Sequence, residues 1–280
     1  MYAQDFKKIS SAEYAGLNNI VKNEERESFV EYATQHSEES VQESHMIAFG
    51  NLDTLNTDPS KYNEFVSRKD AETGVFVPDV DDREYYHVRT TTSPPPRAYG
   101  PLVNFNVASI GPNGIVIESL IALRNETLVG KVKPFSALPP EEHAAFHVDN
   151  PKGVDYPHSF FFYPVHKVPN DFDSDIVATI AIVHAWDVSM RELLPESVTG
   201  IYSVISNSCN QTFTFVIDGH DVHYLGEGDY HDQRYDSYEL GVDLTPHSHP
   251  GLSTSPGHCM YEMVSVSSEI VISSFRCIVA

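Results

Sequence analysis

The chain has 280 residues, 41% of them hydrophobic and 11% aromatic, and its 40 acidic against 18 basic side chains leave a formal net charge of −22. Aromatic residues spread along the length exclude a disordered chain and supply core for one large or two small globular domains. A surface this negative repels phosphate backbones and anionic headgroups, which argues against nucleic acid as a partner.

No apolar run reaches the roughly 18 to 20 residues of a membrane helix. The longest, Ile176 to Trp186, is interrupted by His184, and MYAQDFKKIS at the start has no apolar signal-peptide core.

In chain order, Ser11 to Phe49 reads as helix, because Tyr14, Leu17, Val21 and then Phe29, Val30 and Ala33 recur at spacings of three and four. Asp58-Pro59-Ser60 opens a short helical piece with Tyr62, Phe65 and Val66 on one face, and VFVPDVDD reads as extended. TTTSPPP, from Thr90 to Pro96, fixes an extended connector and marks the best internal boundary. It divides a helical N-terminal region, 1–90, from a β-rich half, 91–280.

Beyond it, Pro101 to Ala108 alternates partly, Gly114 to Glu118 is an apolar strand candidate, and the run from Ser159 is expected to end or bend at Pro164. The β-branched run Asp175 to Ala185 suits a buried strand. Asp187 is placed to cap a helix carrying Met190, Leu193 and Leu194 that stops at Pro195. Ile201 to Ile205, Thr212 to Ile217, Val222 to Leu225 and Tyr261 to Ser274 then read as strands, with Asp218-Gly219-His220-Asp221 as a hairpin turn. The expected class is α+β, closing in an antiparallel sheet.

Chemistry-bearing residues concentrate late. His220, His223 and His231, followed by His247, His249 and His258, are interleaved with Asp221, Asp229, Asp232 and Asp236. Imidazole and carboxylate ligands of this kind build transition-metal sites, so a metal-dependent enzyme at 220–249 is the alternative reading. Against it, His220 and His223 are three apart across a turn into a strand and point to opposite faces. Acidic neighbours also raise histidine pKa values and favour the protonated form, so no stoichiometric metal and no cofactor is expected.

Other motifs fail on single residues. His143 and His147 have zinc-peptidase spacing, but Ala144 stands where the general-base Glu belongs. Gly251-Leu-Ser253-Thr-Ser255 lacks the second glycine of a nucleophile elbow. Gly226-Glu-Gly228-Asp229 is too short and too acidic to cradle a phosphate. Cys209 and Cys259 sit in polar, turn-like settings, unlike Cys277 in the final apolar run, and sequons begin at Asn125 and Asn210.

The succession FFFYPV (Phe160 to Val165), IVATIAIVHAWDVSMRELLP (Ile176 to Pro195), NSCNQ (Asn207 to Gln211), LGEGDYHD (Leu225 to Asp232) and GHCMY (Gly257 to Tyr261) resembles the extracellular CHASE-type sensor region of microalgal receptor adenylate and guanylate cyclases. PLVNFNVAS and NEERESFVEYA extend the resemblance more loosely. It implies a PAS-like α+β domain outside the cell that senses a small-molecule ligand, joined in a full-length receptor to membrane helices and a cyclase domain. Neither is visible here, so cyclase activity is not carried onto these residues.

Together with their turn settings, the resemblance pairs Cys209 with Cys259 and makes Asn125 and Asn210 glycosylation sites, with homodimerisation left open. A ligand pocket is expected in the β-rich half, lined by Asn104, Asn106, Phe161 and Tyr163, which alternate on strand-like segments.

Overall fold

Ala12–Lys22 is a strand, β1, and the helix expected from Ser11 begins only later, as α1, Arg26–Phe49. This computed structural model describes residues 12–49, 52, 64–70, 72–73, 75–93, 103–109, 111–124, 128–131, 133–134, 157–191, 193–244 and 256–266. The correction has a physical cause. Along β1 the buried alternation falls on Gly16 and Asn18, one small and one polar, so the period of two carries no hydrophobic signal. Asn18 is fully buried because its amide donates to Thr179 Oγ1 at 3.3 Å while its Oδ1 accepts from Arg89 Nε at 3.1 Å.

The short helix expected around Phe65 is absent from the described part of that stretch. Glu64 and Phe65 form a bend that leads into β2, Ser67–Lys69, which pairs with β3, Phe76–Pro78. Thr90 to Ser93 complete β4, Tyr85–Ser93, and Pro94 to Pro96 lie outside the described residues. The region 1–90 is therefore not simply helical.

Residues 103–109 form no continuous strand. Phe105 bridges to Ser67, Asn106 bridges to Val88, and Val107–Ser109 is one 3-10 turn. Gly111–Leu123, which contains the expected strand Gly114 to Glu118, is a helix, α2. Its buried residues Val116, Ile117 and Leu120 follow helical spacing with Ile115, Glu118 and Ile121 exposed, a pattern that a run of β-branched residues conceals. Gly114 permits the docking, because a Cβ there would lie 2.6 Å from the Ala108 carbonyl oxygen.

β5, Leu128–Val129, and β6, Lys133–Pro134, both pair with β7, Pro157–His166, which pairs with β8, Ile176–Ala185. β7 passes through Pro164 instead of stopping there. The ladder to β5 ends at Phe162, so among the described residues no strand pairs with Pro164 on that side. β8 is central, as its β-branched run requires, and the sheet order is β4-β1-β8-β7-β5. Strand pairing thus runs across residue 90, with β1 and β4 joined to β8 and β7.

α3, Trp186–Met190, follows directly. Ala185 and not Asp187 is its N-cap, and the Asp187 carboxylate, fully buried, instead accepts from Arg191 Nη2 at 2.6 Å. The closing half is the expected antiparallel sheet: β9, Ile201–Asn207, β10, Gln211–Asp218, β11, Asp221–Glu227, β12, Leu240–Asp243, and β13, Tyr261–Val266, in the order β11-β10-β9-β13-β12. The architecture is α+β. No helix among the described residues is long and apolar enough to cross a membrane.

A core of Trp186, Met190, Ile205, Phe215 and Tyr261 joins the two large sheets, and each such side chain contributes about 1.5–3 kcal/mol on burial. A polar chain crosses it. Trp186 Nε1 donates to Ser159 Oγ at 2.9 Å, Ser159 Oγ donates to Tyr261 Oη at 3.0 Å, and Tyr261 Oη donates to the Gly130 carbonyl at 2.6 Å. Nearby, Val129 N–H donates to His258 Nδ1 at 3.1 Å and the Cys259 N–H donates to the Val129 carbonyl at 2.8 Å.

Candidate functional site

A cleft of about 580 Å³ lies between α1 and the β2–β3 ribbon. Residues four apart on α1, Arg26, Val30 and Thr34, form one wall, and Phe65, Asp79 and Val80 stand on the other. Its base is apolar, since Val30 and Val66 pack with Val21, Tyr86 and Val88 in a buried cluster.

A polar network stiffens one end. Arg26 Nη1 donates to the Asp79 carbonyl at 2.9 Å and to Tyr86 Oη at 3.2 Å, and Tyr86 Oη donates to the Asp81 carbonyl at 2.5 Å. The Asp79 carboxylate, nearly sealed from water, accepts from Asn106 Nδ2 at 2.7 Å. Asn106 Oδ1 in turn accepts the backbone N–H groups of His87 at 3.1 Å and Ala108 at 3.2 Å. Asn104, at a left-handed φ of 59°, donates from Nδ2 to Thr34 Oγ1 at 3.3 Å. Both asparagines therefore stand directly behind cleft residues and hold them, although neither lines the cleft itself.

Phe161 and Tyr163 are elsewhere. Phe161 packs against the core between the two large sheets, its ring 5.5 Å from His184, and Tyr163 is half-buried on the same strand with its hydroxyl pKa raised by burial. Neither lines the cleft, so the four expected pocket residues are not brought together around it. Arg26, Thr34, Asp79 and Tyr86 had no distinguishing sequence signal, because they come from three separate elements and meet only through tertiary packing.

A second cavity, of about 600 Å³, lies where β1 ends and β8 begins, with Lys22, Lys167 and Arg124 among its walls. Its arginine is already engaged with the carbonyls of Phe172 at 3.3 Å, Asp173 at 2.9 Å and Ser174 at 2.5 Å. The α1 cleft is the better candidate because it combines an apolar base with a preorganised polar end.

Cys209 and Cys259 form a disulfide with Cα atoms 5.5 Å apart, closing a separation of 50 residues. Asn210, next to it, is exposed at a φ of 60° in the β9–β10 turn. His220 and His223 are both exposed, the first in the hairpin turn and the second on β11. His258 is buried and its pKa is lowered by that burial; since Nδ1 accepts from Val129, the ring proton is on Nε2. Asn125, His143, His147, His247, His249, Ser253 and Cys277 lie outside the described residues.

Compared with known proteins, the chain matches no protein-family model and no curated protein.

Proposed function

We propose that this chain is a non-catalytic, PAS-like sensor domain of the CHASE type, exposed outside the cell, that binds a small organic molecule in the cleft between α1 and the β2–β3 ribbon. The observation that carries this reading is the cleft itself: apolar at its base, with the Asn106–Asp79 and Asn104–Thr34 pairs fixing its polar positions before any ligand arrives. A ligand there touches both a long helix and a two-stranded ribbon, and so favours whichever arrangement of the two it fits best. The disulfide and the exposed sequon at Asn210 support an oxidising, glycosylating compartment.

A small-molecule screen by thermal shift tests the reading. Glu31→Trp fills the cleft from an exposed wall position without entering the core. Ligands that stabilise the wild-type chain should lose that effect in Glu31→Trp and in Phe65→Ser. Stabilisation that survives both substitutions unchanged places the ligand elsewhere and removes the basis of the proposal.

A further inference from the structure

The connection from β11 to β12 assembles a donor set that the sequence spacing of His220 and His223 did not suggest. His231 Nε2 lies 3.1 Å from Asp236 Oδ1 and 3.5 Å from Glu239 Oε1, and one donor atom from each of the three residues lies within 4.8 Å of the others. Ligand bonds of about 2.1 Å around a tetrahedral cation put neighbouring donor atoms roughly 3.4 Å apart. The two nitrogen-to-oxygen separations are close to edges of such a polyhedron, and the two carboxylate oxygens lie within 4.8 Å of each other.

The other imidazole nitrogen is also committed. His231 Nδ1 lies 2.5 Å from Asp229 Oδ1, the carboxylate–imidazole pairing that orients metal-bound histidines and raises their basicity. The imidazole is sheltered, with 12% of its side chain exposed, whereas the Asp236 and Glu239 carboxylates are 58% and 41% exposed. An ion would enter from the solvent side, where water completes its coordination.

We propose that His231, Asp236 and Glu239 form a binding site for a divalent transition-metal cation of the zinc class, with Asp229 orienting the imidazole. The nitrogen donor favours such ions over calcium and magnesium, which select all-oxygen sites. Such a site would depart from the expectation that the histidine-rich segment holds no metal, and it needs neither His220 nor His223.

The placement suggests a structural task. β11 and β12 occupy opposite edges of the five-stranded sheet, so the chain between them must cross from one edge to the other. An ion held by His231 near the start of that crossing and by Glu239 at its end would fix its path.

Isothermal titration of the whole chain with zinc, after dialysis against chelator, tests the site. One ion per chain is expected, with affinity reduced at least tenfold in His231→Gln and in Glu239→Gln, and about 10–100-fold in Asp229→Asn. The double variant His220→Gln, His223→Gln should bind as the wild type does, and calcium in excess should not compete. Because Glu239 is exposed, its variant supplies the readout even if His231→Gln fails to fold. Absence of zinc binding, equal binding by wild type and Glu239→Gln, or loss of binding in the His220/His223 double variant would overturn the assignment.

Discussion

Asn106 and Asp79 meet at 2.7 Å, amide nitrogen to carboxylate oxygen, with both side chains removed from water. The asparagine is engaged at both ends, because its oxygen also takes the N–H groups of His87 and Ala108. Removing it leaves a buried carboxylate short of a donor and two amides short of an acceptor. Asn106→Ala is therefore expected to cost about 3 kcal/mol or more in urea unfolding. Asn106→Asp should cost more still at pH 7, where two carboxylates would face each other, and should recover part of the loss on acidification. Equal stability of Asn106→Ala and wild type would show that the network does not support the fold.

The disulfide closes a long loop, so its removal should matter through the unfolded chain. Cys209→Ala with Cys259→Ala is expected to lower stability by about 4 kcal/mol in the chain-entropy account, less any strain relieved. Paired thermal melts of the oxidised and reduced protein check this, and coincident melts would contradict it.

His87 is buried on β4, and desolvation lowers its pKa from 6.5 to about 4. The unfolded chain therefore takes up the proton first on acidification. The stability this neutral ring provides is complete above pH 6.5 and is lost progressively as the pH falls toward 4, up to about 3 kcal/mol. His258, shifted downward by burial as well, adds loss of the same sign. Urea unfolding at several pH values should show a shallower acid slope in His87→Leu than in wild type; identical slopes would remove His87 as a source.

Gly219 and Asn210 occupy turns with nearly the same φ, 63° and 60°, yet they should respond differently to substitution. A Cβ at Gly219 would lie 2.8 Å from the Glu196 carbonyl oxygen, so Gly219→Ala combines a disfavoured conformation with a backbone clash and should cost about 1–3 kcal/mol. Asn210→Gly removes the side chain from a conformation that suits glycine and should leave stability within about 0.5 kcal/mol of wild type. Chemical denaturation of both variants tests the contrast.

Four strands of the closing sheet were legible because they are β-branched, short and separated by turn residues, whereas β12 carried no such signal, and the two cysteines of the cystine stood out by their polar, turn-like settings. β1 and α2 were misread for opposite reasons. Among the described side chains of β1 the alternately buried pair is Gly16 and Asn18, and Asn18 fits there only through Thr179 and Arg89 far along the chain. α2 has β-branched residues whose preference for strands yields to packing of Val116 and Leu120 against Phe105 and Phe162. The cleft itself was not legible: a pocket was expected within 91–280, whereas this one is lined by residues between Arg26 and Val80, and Asn104 and Asn106 stand behind it as braces for Thr34 and Asp79.

Val129 engages the segment leading into β13 through both of its own backbone groups, one bond to the His258 ring and one from the Cys259 amide. Two bonds centred on one residue fix the register between β5 and that segment, at the edge of the core the two large sheets share. The far side of this clasp is covalent, since Cys259 carries Cys209 and with it the β9–β10 turn. Through this one residue β5 is thereby tied both to the segment before β13 and, by way of the cystine, to the β9–β10 turn, so the first sheet cannot part from the second here without breaking these links.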